Sequence, residues 1–203
     1  MEFWNSELTA KSWTLLQQLT KEKFRFIVIG GWATYLWTKQ HKSKDIDIII
    51  PDFRELEIIG NKYLLRKNNN LKKYEIKTEE IDIDIYLPYY SKLSLPIDFV
   101  LKNTTLVEGF EVVQPEILLI LKQGAELDRK DSVKGQKDRI DILTLLCYTK
   151  IDFSKYRHFI EQQKIVPYRQ RLKEIIQSFK DLKHLNMNSK EYADKKKELL
   201  KVV

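Results

Sequence analysis

Residues 26–50 read FIVIGGWATYLWTKQHKSKDIDIII, and this stretch decides the fold. The apolar run at 26–29 predicts a strand, and the run at 32–38 predicts a helix. Gly30 and Gly31 between them therefore form a tight strand-to-helix turn. Because the free N–H groups of such a turn and the N-terminus of the helix attract an anion, the segment is typical of a phosphate-binding site.

Two aspartates lie on the second strand of the same stretch. Because side chains alternate between the two faces of a strand, Asp45 and Asp47 point to one side while Ile46 and Ile48 point to the core. Two carboxylates about 4 Å apart repel by roughly 4 kcal/mol at an effective dielectric constant near 20. The pair therefore requires a cation, and Mg²⁺ held together with substrate phosphates is the usual one.

A further pair of carboxylates is carried by IDIDIYLP at residues 81–88. Asp82 and Asp84 share one face of this predicted strand, and one of them would act as a base toward an acceptor hydroxyl. The position along the strand favours Asp84, with Asp82 as the alternative. Alternating Ile and Asp is also typical of a half-buried strand with a solvated face, but two such strands after a glycine turn favour catalysis.

The composition indicates a folded protein with a basic surface. Of the 203 residues, 43% are hydrophobic and 32% are charged, which is typical of a globular chain. The single cysteine, Cys147, excludes an internal disulfide. No apolar run has the length of a signal core or a membrane span, so we expect a cytoplasmic protein with no membrane contact. The net charge of +7 favours polyanionic partners, although a general lysine bias explains it equally well.

The order of predicted elements gives an α+β fold in two domains. The domain at 1–114 combines helices with a mostly antiparallel or mixed sheet, in which residues 71–77 and 81–87 form an antiparallel pair. The domain at 115–203 is helical, because no strand signal follows Pro115. The predicted helices are at residues 7–19, 32–39, 53–65, 115–128, 135–149, 152–163, 167–183 and 189–201.

The order of apolar strand, Gly-Gly, helix, Asp-x-Asp and later carboxylate strand resembles the DNA-polymerase-β-type nucleotidyltransferases. The resemblance implies a minimal nucleotidyltransferase sheet flanked by helices, two divalent ions (Mg²⁺ or Mn²⁺) and an NTP as substrate. Asp45 and Asp47 would bind both ions, and Asp84 would complete the second metal site. Gly30 and Gly31 would hold triphosphate oxygens. Many members have serine at the second glycine position, so a hydroxyl contact is lacking here.

Further motifs follow in the second half and in the loop before the Asp-x-Asp strand. They are Pro115-Glu116, Lys122-x-x-Ala125-x-x-x-Arg129, Lys137-Asp138-x-x-Asp141-Ile142-x-x-Leu145 and Ser43-Lys44-Asp45-Ile46-Asp47. This set is similar to the AbiEii group, which includes toxins of abortive-infection and type IV toxin–antitoxin systems; at His41 that group more often has arginine. The resemblance covers residues 26–146 and implies that Lys122 and Asp141 take part in catalysis. The residues that it places at the nucleotide are Ser43, Lys44 and Arg129.

Spacing gives the motifs of the second half a physical interpretation as well. Lys122 and Arg129 are seven residues apart and lie on one face of a helix, where a cation would neutralise triphosphate charge. Asp138 and Asp141, three apart on the next helix, would orient Lys122 by a salt bridge or approach the nucleotide. The alternative is that Lys122 packs its stem along a core helix while the two aspartates pair locally.

The leading hypothesis is an enzyme that transfers a nucleoside monophosphate from an NTP to an acceptor hydroxyl and releases pyrophosphate. The AbiEii-like resemblance implies an RNA or tRNA end as acceptor and a cognate antitoxin as partner. The alternatives are a small-molecule or protein acceptor, and a non-catalytic nucleotide- or RNA-binding module of the same fold. A P-loop, a nucleophile elbow and a zinc-like His/Cys spacing are absent from the sequence. Trp32 is interpreted as core packing, with base stacking as the alternative.

Overall fold

The computed structural model describes residues 6–203, with side chains from residue 7 onward. Residues 1–5, which belong to the N-terminal stretch for which no signal core was predicted, lie outside the described part. The chain divides into two compact units between Gln114 and Pro115. The elements of the first unit are α1 (Ser6–Leu19), β1 (Ile27–Ile29), α2 (Gly30–Thr38), β2 (Ile46–Ile49), α3 (Phe53–Gly60), β3 (Leu65–Asn68), β4 (Lys73–Lys77), β5 (Asp82–Tyr86), α4 (Ile97–Leu101), β6 (Thr104–Val107) and β7 (Phe110–Val113).

The described strands of the first unit form one sheet in the order β3-β4-β5-β2-β1-β7-β6. β2 runs parallel to β5, and β1 runs parallel to β7, whereas the other neighbouring pairs are antiparallel. The sheet is therefore mixed, as predicted. The pairing of β2 with β5 places the two aspartate-bearing segments of the sequence side by side.

Alternating isoleucines and an aromatic helix form the core of the first unit. Ile46 on β2 and Ile83 on β5 are at most 1% exposed, as the period of a strand requires. Trp32 on α2 is fully buried, and its indole Nε1 donates a hydrogen bond to Ser12 Oγ on α1 at 2.9 Å. Trp32 therefore packs in the core and cannot stack on a base.

The segment after α3 differs from the prediction. Apolar spacing predicts a helix over 53–65, but α3 ends at Gly60 and a strand, β3, begins at Leu65. Leu64, one of the apolar residues whose spacing predicts that helix, is 77% exposed. The prediction was wrong because antiparallel pairing with β4 overrides the local helical spacing.

The second unit has only helices among its regular elements from residue 115 to residue 203. They are α5 (Pro115–Asp128), α6 (Val133–Tyr148), α7 (Phe153–Gln162), α8 (Pro167–Ser178), a 3-10 helix (Leu182–Leu185) and α9 (Ser189–Val202). The Asp152 side chain caps the start of α7, and Asn188 with Glu191 forms a capping box at the start of α9. In the interior, the Tyr156 hydroxyl donates to Gln123 Oε1 at 2.8 Å.

These elements give an α+β fold with a mixed sheet and helices, followed by a helical C-terminal part, as the sequence predicted. None of the helices between residues 6 and 203 combines the length and the apolar character that a membrane span requires.

Candidate active site

Parallel pairing of β2 with β5 brings two carboxylates side by side. Asp47 is the register partner of Asp84, and both side chains are half-buried. The preceding pair, Ile46 and Ile83, is buried. Because successive residues alternate between faces, the aspartates lie on the face opposite those isoleucines. Asp45, predicted on the strand, lies just before β2 and is also half-buried.

The glycine turn lies directly against Asp47. Ile29, the last residue of β1, pairs with Asp47 in antiparallel register. Gly30 follows with a φ of +65°, in the left-handed region that favours glycine. A Cβ on Gly30 would lie 2.2 Å from Asp47 Oδ2 and 2.9 Å from Asp47 Cβ. The turn and the carboxylate therefore form one site, and the close approach requires glycine at position 30.

Lys73 on β4 forms an ion pair with Asp84. Its Nζ lies 2.6 Å from Asp84 Oδ2 and 3.1 Å from Glu75 Oε1, and all three side chains are less than a fifth exposed. Asn68 on β3 donates through Nδ2 to Glu75 Oε1 at 2.9 Å. Glu75 is thus held beside the lysine, and the four side chains form a connected polar network on one face of the sheet.

The charges of this network act on Asp84. Burial raises the pKa of Asp84, and the hydrogen bond from Lys73 opposes that rise only in part. The negative charges of Glu75 and Asp45 raise the pKa further. Asp45 is therefore close enough to Asp84 for the two to repel. A carboxyl group with a raised pKa is better suited to accept a proton than an ordinary surface aspartate.

Lys73 itself stays charged. Burial alone would lower the pKa of the Lys73 ammonium, but its hydrogen bonds to Asp84 and Glu75 outweigh burial and raise the pKa. A fixed positive charge therefore lies against the third carboxylate of the predicted site.

The donor set fits a hard divalent cation in its chemistry. Asp45, Asp47 and Asp84 offer carboxylate oxygens, which Mg²⁺ and Mn²⁺ prefer as ligands. Among the described residues, however, no group of three or more Asp, Glu, His or Cys side chains is arranged so that it could hold a metal ion. At Asp84 the positive charge is supplied by the Lys73 ammonium group.

The register distinguishes Asp84 from Asp82. Asp84 is the residue paired with Asp47, whereas Asp82, the first residue of β5, is paired on its other side with Lys77 of β4. The structure therefore brings Asp84 next to Asp47.

The loop and turn residues that the resemblance places at the nucleotide have different environments. Ser43 is 3% exposed, so its hydroxyl is enclosed by the protein. Lys44, the next residue, is exposed on the loop before β2. Gly31 is buried in the first turn of α2. Contact of these three residues with a nucleotide remains a prediction.

An ion-pair cluster joins α5 and α6 in the second unit. Lys122 Nζ lies 2.5 Å from Asp141 Oδ2 and 3.8 Å from Asp138 Oδ1. Arg129 holds Asp138 with two hydrogen bonds, of 2.7 Å and 3.0 Å. Lys122 is 7% exposed and both aspartates are at most 2% exposed. The salt bridge that the spacing offered as one interpretation is present; a role for Lys122 and Asp141 in catalysis remains a prediction.

The hairpin of β3 and β4 carries lysines over aromatic rings. Lys67 Nζ lies 4.7 Å from the ring centroid of Tyr90 and 5.9 Å from that of Tyr74. Lys72 Nζ lies 5.7 Å from the Tyr90 ring, and the neighbouring Tyr89 is 96% exposed. We call these five residues the lysine–tyrosine patch. Cations and π-faces that share one surface are typical of sites for single-stranded nucleic acid.

Sequence reasoning missed Lys73 and Glu75 as members of the site. The signal was present, because Lys73 and Glu75 alternate on a segment whose antiparallel pairing with the strand of Asp84 was predicted. The exact register was not, and a shift of one residue would have moved both charges to the other face of the sheet.

No protein-family model matches the chain, and no curated protein sequence matches it either. Among solved structures, the chain is similar to a candidate nucleotidyltransferase from H. pylori, with a TM-score of 0.53 and 14% identity over 98% of this chain and 99% of that chain. It is also similar to JHP933 from Helicobacter pylori, with a TM-score of 0.50 and 14% identity over 98% and 95% of the two chains. The chain therefore shares a fold with nucleotidyltransferase-like proteins.

Proposed function

We propose that this protein is a metal-dependent nucleotidyltransferase. It would transfer a nucleoside monophosphate from an NTP to an acceptor hydroxyl and release pyrophosphate. One observation supports this proposal above the others: Asp47 lies beside Asp84 on a neighbouring parallel strand, while the Gly30 backbone packs against the Asp47 carboxylate. A carboxylate pair next to a glycine turn at a helix N-terminus combines an ion site with an anion site.

The residues would divide the work as follows. Asp45, Asp47 and Asp84 would hold Mg²⁺ or Mn²⁺, which neutralises triphosphate charge and stabilises the attacking and leaving oxygens. The turn at Gly30-Gly31 would orient the triphosphate through its backbone N–H groups. The acceptor oxygen forms a bond to the α-phosphorus while the bond from that phosphorus to the bridging oxygen of pyrophosphate breaks. Asp84, the register partner of Asp47, would take the hydroxyl proton.

For the acceptor, we propose an RNA end, with tRNA as the first candidate, in an AbiEii-like toxin role that implies a cognate antitoxin. The net charge of +7 and the lysine–tyrosine patch support a polyanionic acceptor with exposed bases. The cluster of Lys122 and Asp141 supports the AbiEii-like role through its match to the motif of that group.

The test of the reaction is transfer of label from NTPs to total RNA. We expect label in the α-phosphate to reach the acceptor and label in the γ-phosphate to leave with pyrophosphate. Asp47→Asn and Asp84→Asn should each lower the rate about 10²–10³-fold, the usual effect of removing one well-placed electrostatic group. Asp82→Asn, a neutralised carboxylate two residues from Asp84, is the matched control and should stay within a few-fold of wild type. Equal transfer by wild type and the double variant D45A/D47A would refute the proposal.

The test of the acceptor is charge reversal on the lysine–tyrosine patch. K67E/K72E should raise the KM for RNA and leave the rate at saturating RNA nearly unchanged, because phosphate contacts contribute mainly to binding. K190E/K201E, a reversal of the same size on exposed lysines of α9, is the control. Label that appears in protein or in small molecules instead of RNA would replace the RNA proposal with the corresponding alternative.

A further inference from the structure

Lys73 occupies the place of a counter-ion within the proposed ion site. Its Nζ lies 2.6 Å from Asp84 Oδ2, and the lysine side chain is only 12% exposed. Glu75 Oε1 lies 3.1 Å from the same ammonium group and also accepts a hydrogen bond from Asn68 Nδ2. The Lys73 ammonium group is thus paired with two carboxylates whose side chains are each less than a fifth exposed, which fixes its position.

The contact has a direct cost for metal binding. Asp84 contributes to an ion site only through its carboxylate oxygens, and one of them is engaged by Lys73. A positive charge at that distance also repels a second cation.

We propose that Lys73 is an internal latch on Asp84, so that the third carboxylate joins a divalent ion only after the Lys73 ammonium has been displaced. The proposal rests on the nucleotidyltransferase function above. Lys73 is a positioning residue: it sets where the Asp84 carboxylate lies and when that carboxylate is free. Glu75 keeps the released ammonium group close, since it already binds Lys73 and lies opposite Asp84 in the register of β4 and β5.

The first test is direct binding of Mn²⁺ without nucleotide, measured by calorimetry and by the electron paramagnetic resonance of free Mn²⁺. Lys73→Met removes the charge at nearly constant length and should tighten Mn²⁺ binding at least about tenfold, a change that corresponds to about 1.4 kcal/mol. Lys77→Met is the matched control, because Lys77 lies on the same strand and contacts Glu75 only at 3.8 Å with a side chain 46% exposed. Lys73→Arg keeps the charge and should bind Mn²⁺ no more tightly than wild type.

Two outcomes with the single variants would overturn the latch. The first is an unchanged or weaker affinity in Lys73→Met. The second is an equal gain in Lys73→Arg, because the gain would then not come from removing charge. Adding Asp84→Asn to Lys73→Met should abolish the gain; a gain that persists in this double variant would mean that the ion does not use Asp84.

The second test uses wild-type protein and needs no variant to fold. Acetylation by a lysine-selective reagent, read out by mass spectrometry, should modify Lys73 slowly without metal, since its ammonium is enclosed and paired. Saturating Mn²⁺ should increase the rate at Lys73 several-fold relative to Lys77. No change in that ratio would overturn the proposal.

The two proposals fail in different ways. If wild type transfers nucleotides but Mn²⁺ neither binds more tightly to Lys73→Met nor exposes Lys73, the latch alone fails. If Lys73→Met gains affinity but wild type transfers no nucleotide to any acceptor, the latched ion site stands and the enzymatic function fails.

Discussion

Alanine in place of Gly30 would disturb the backbone and Asp47 together. A φ of +65° costs an alanine about 1–2 kcal/mol. The new methyl group would lie 2.9 Å from Asp47 Cβ, an atom that rotation of the side chain cannot move. β1 or β2 must therefore shift, and overpacking of this kind typically costs about 1–3 kcal/mol. Because alanine restricts the unfolded chain more than glycine does, the loss of chain entropy on folding is smaller, which offsets about 0.4–1 kcal/mol of these costs. We expect G30A to lower the free energy of unfolding by about 1–4.5 kcal/mol.

Gly109 supplies the control that separates strain from contact. It has a φ of +83°, and a Cβ there would meet no heavy atom within 4 Å. G109A should therefore cost only the difference between strain and chain entropy, about 0–1.5 kcal/mol. The difference between the destabilisation by G30A and that by G109A is the cost of the steric clash with Asp47, about 1–3 kcal/mol. Urea unfolding of both variants, followed by tryptophan fluorescence, measures this difference.

The same variants have a second readout at the proposed ion site. Because G30A displaces Asp47, it should weaken Mn²⁺ binding and nucleotide transfer, whereas G109A should leave both close to wild type. If the two variants unfold within about 0.5 kcal/mol of each other, the close approach of Gly30 to Asp47 is not present in solution. If G30A binds Mn²⁺ as wild type does, the glycine turn and the carboxylate do not form one site.

Three further predictions concern the second unit. Burial would raise the pKa of Glu126, but hydrogen bonds from Arg171 and Arg139 outweigh burial and lower the pKa below its ordinary 4.5. The ionised Glu126 therefore stabilises the fold above pH 4.5, and this contribution is lost as the pH falls through the lowered pKa of the folded protein. E126Q should therefore cost about 3 kcal/mol in urea unfolding at pH 7 and less at pH 3, and equal costs would contradict the assignment. K122M should cost about 3 kcal/mol at pH 7 by leaving Asp141 buried without its closest partner, and K122M/D141N should recover most of that loss; no recovery would refute the pairing. Burial raises the pKa of the Cys147 thiol to about 11, so it should react with maleimide at pH 8 far more slowly in native than in urea-unfolded protein, and equal rates would show an open thiol.

The fold was accessible to sequence reasoning wherever local pattern and tertiary pairing agree. The alternation in DIDIY and the helical spacing after Pro115 can be recognised without knowing which strand or helix packs beside them. Both the mixed sheet and the helical C-terminal part were therefore predicted. β3 was not, because Leu65–Asn68 has no strand pattern of its own and is extended only where it pairs with β4.

The candidate site could be predicted as a set of residue types but not as a set of contacts. The Asp-x-Asp pattern and the glycine turn indicated an ion site beside a phosphate site. The lysine on Asp84 depends on the register of β4 against β5, which side-chain alternation alone does not determine. The choice between Asp82 and Asp84 was left open for the same reason, because it depends on the register of β2 against β5.

The topology of the sheet also determines when these carboxylates can meet. Asp47 and Asp84 become neighbours only after a helix and a whole hairpin have been made between them, and β1 is completed on its other side by β7, the last strand before Gln114. Contacts between such distant segments form late and slowly. A growing chain on the ribosome therefore cannot pair the two aspartates before β5 has emerged, and it cannot complete the sheet before β7 has emerged. Truncations that stop short of Asp82 should lack the ion site, and those that stop short of Phe110 should lack β7 beside β1.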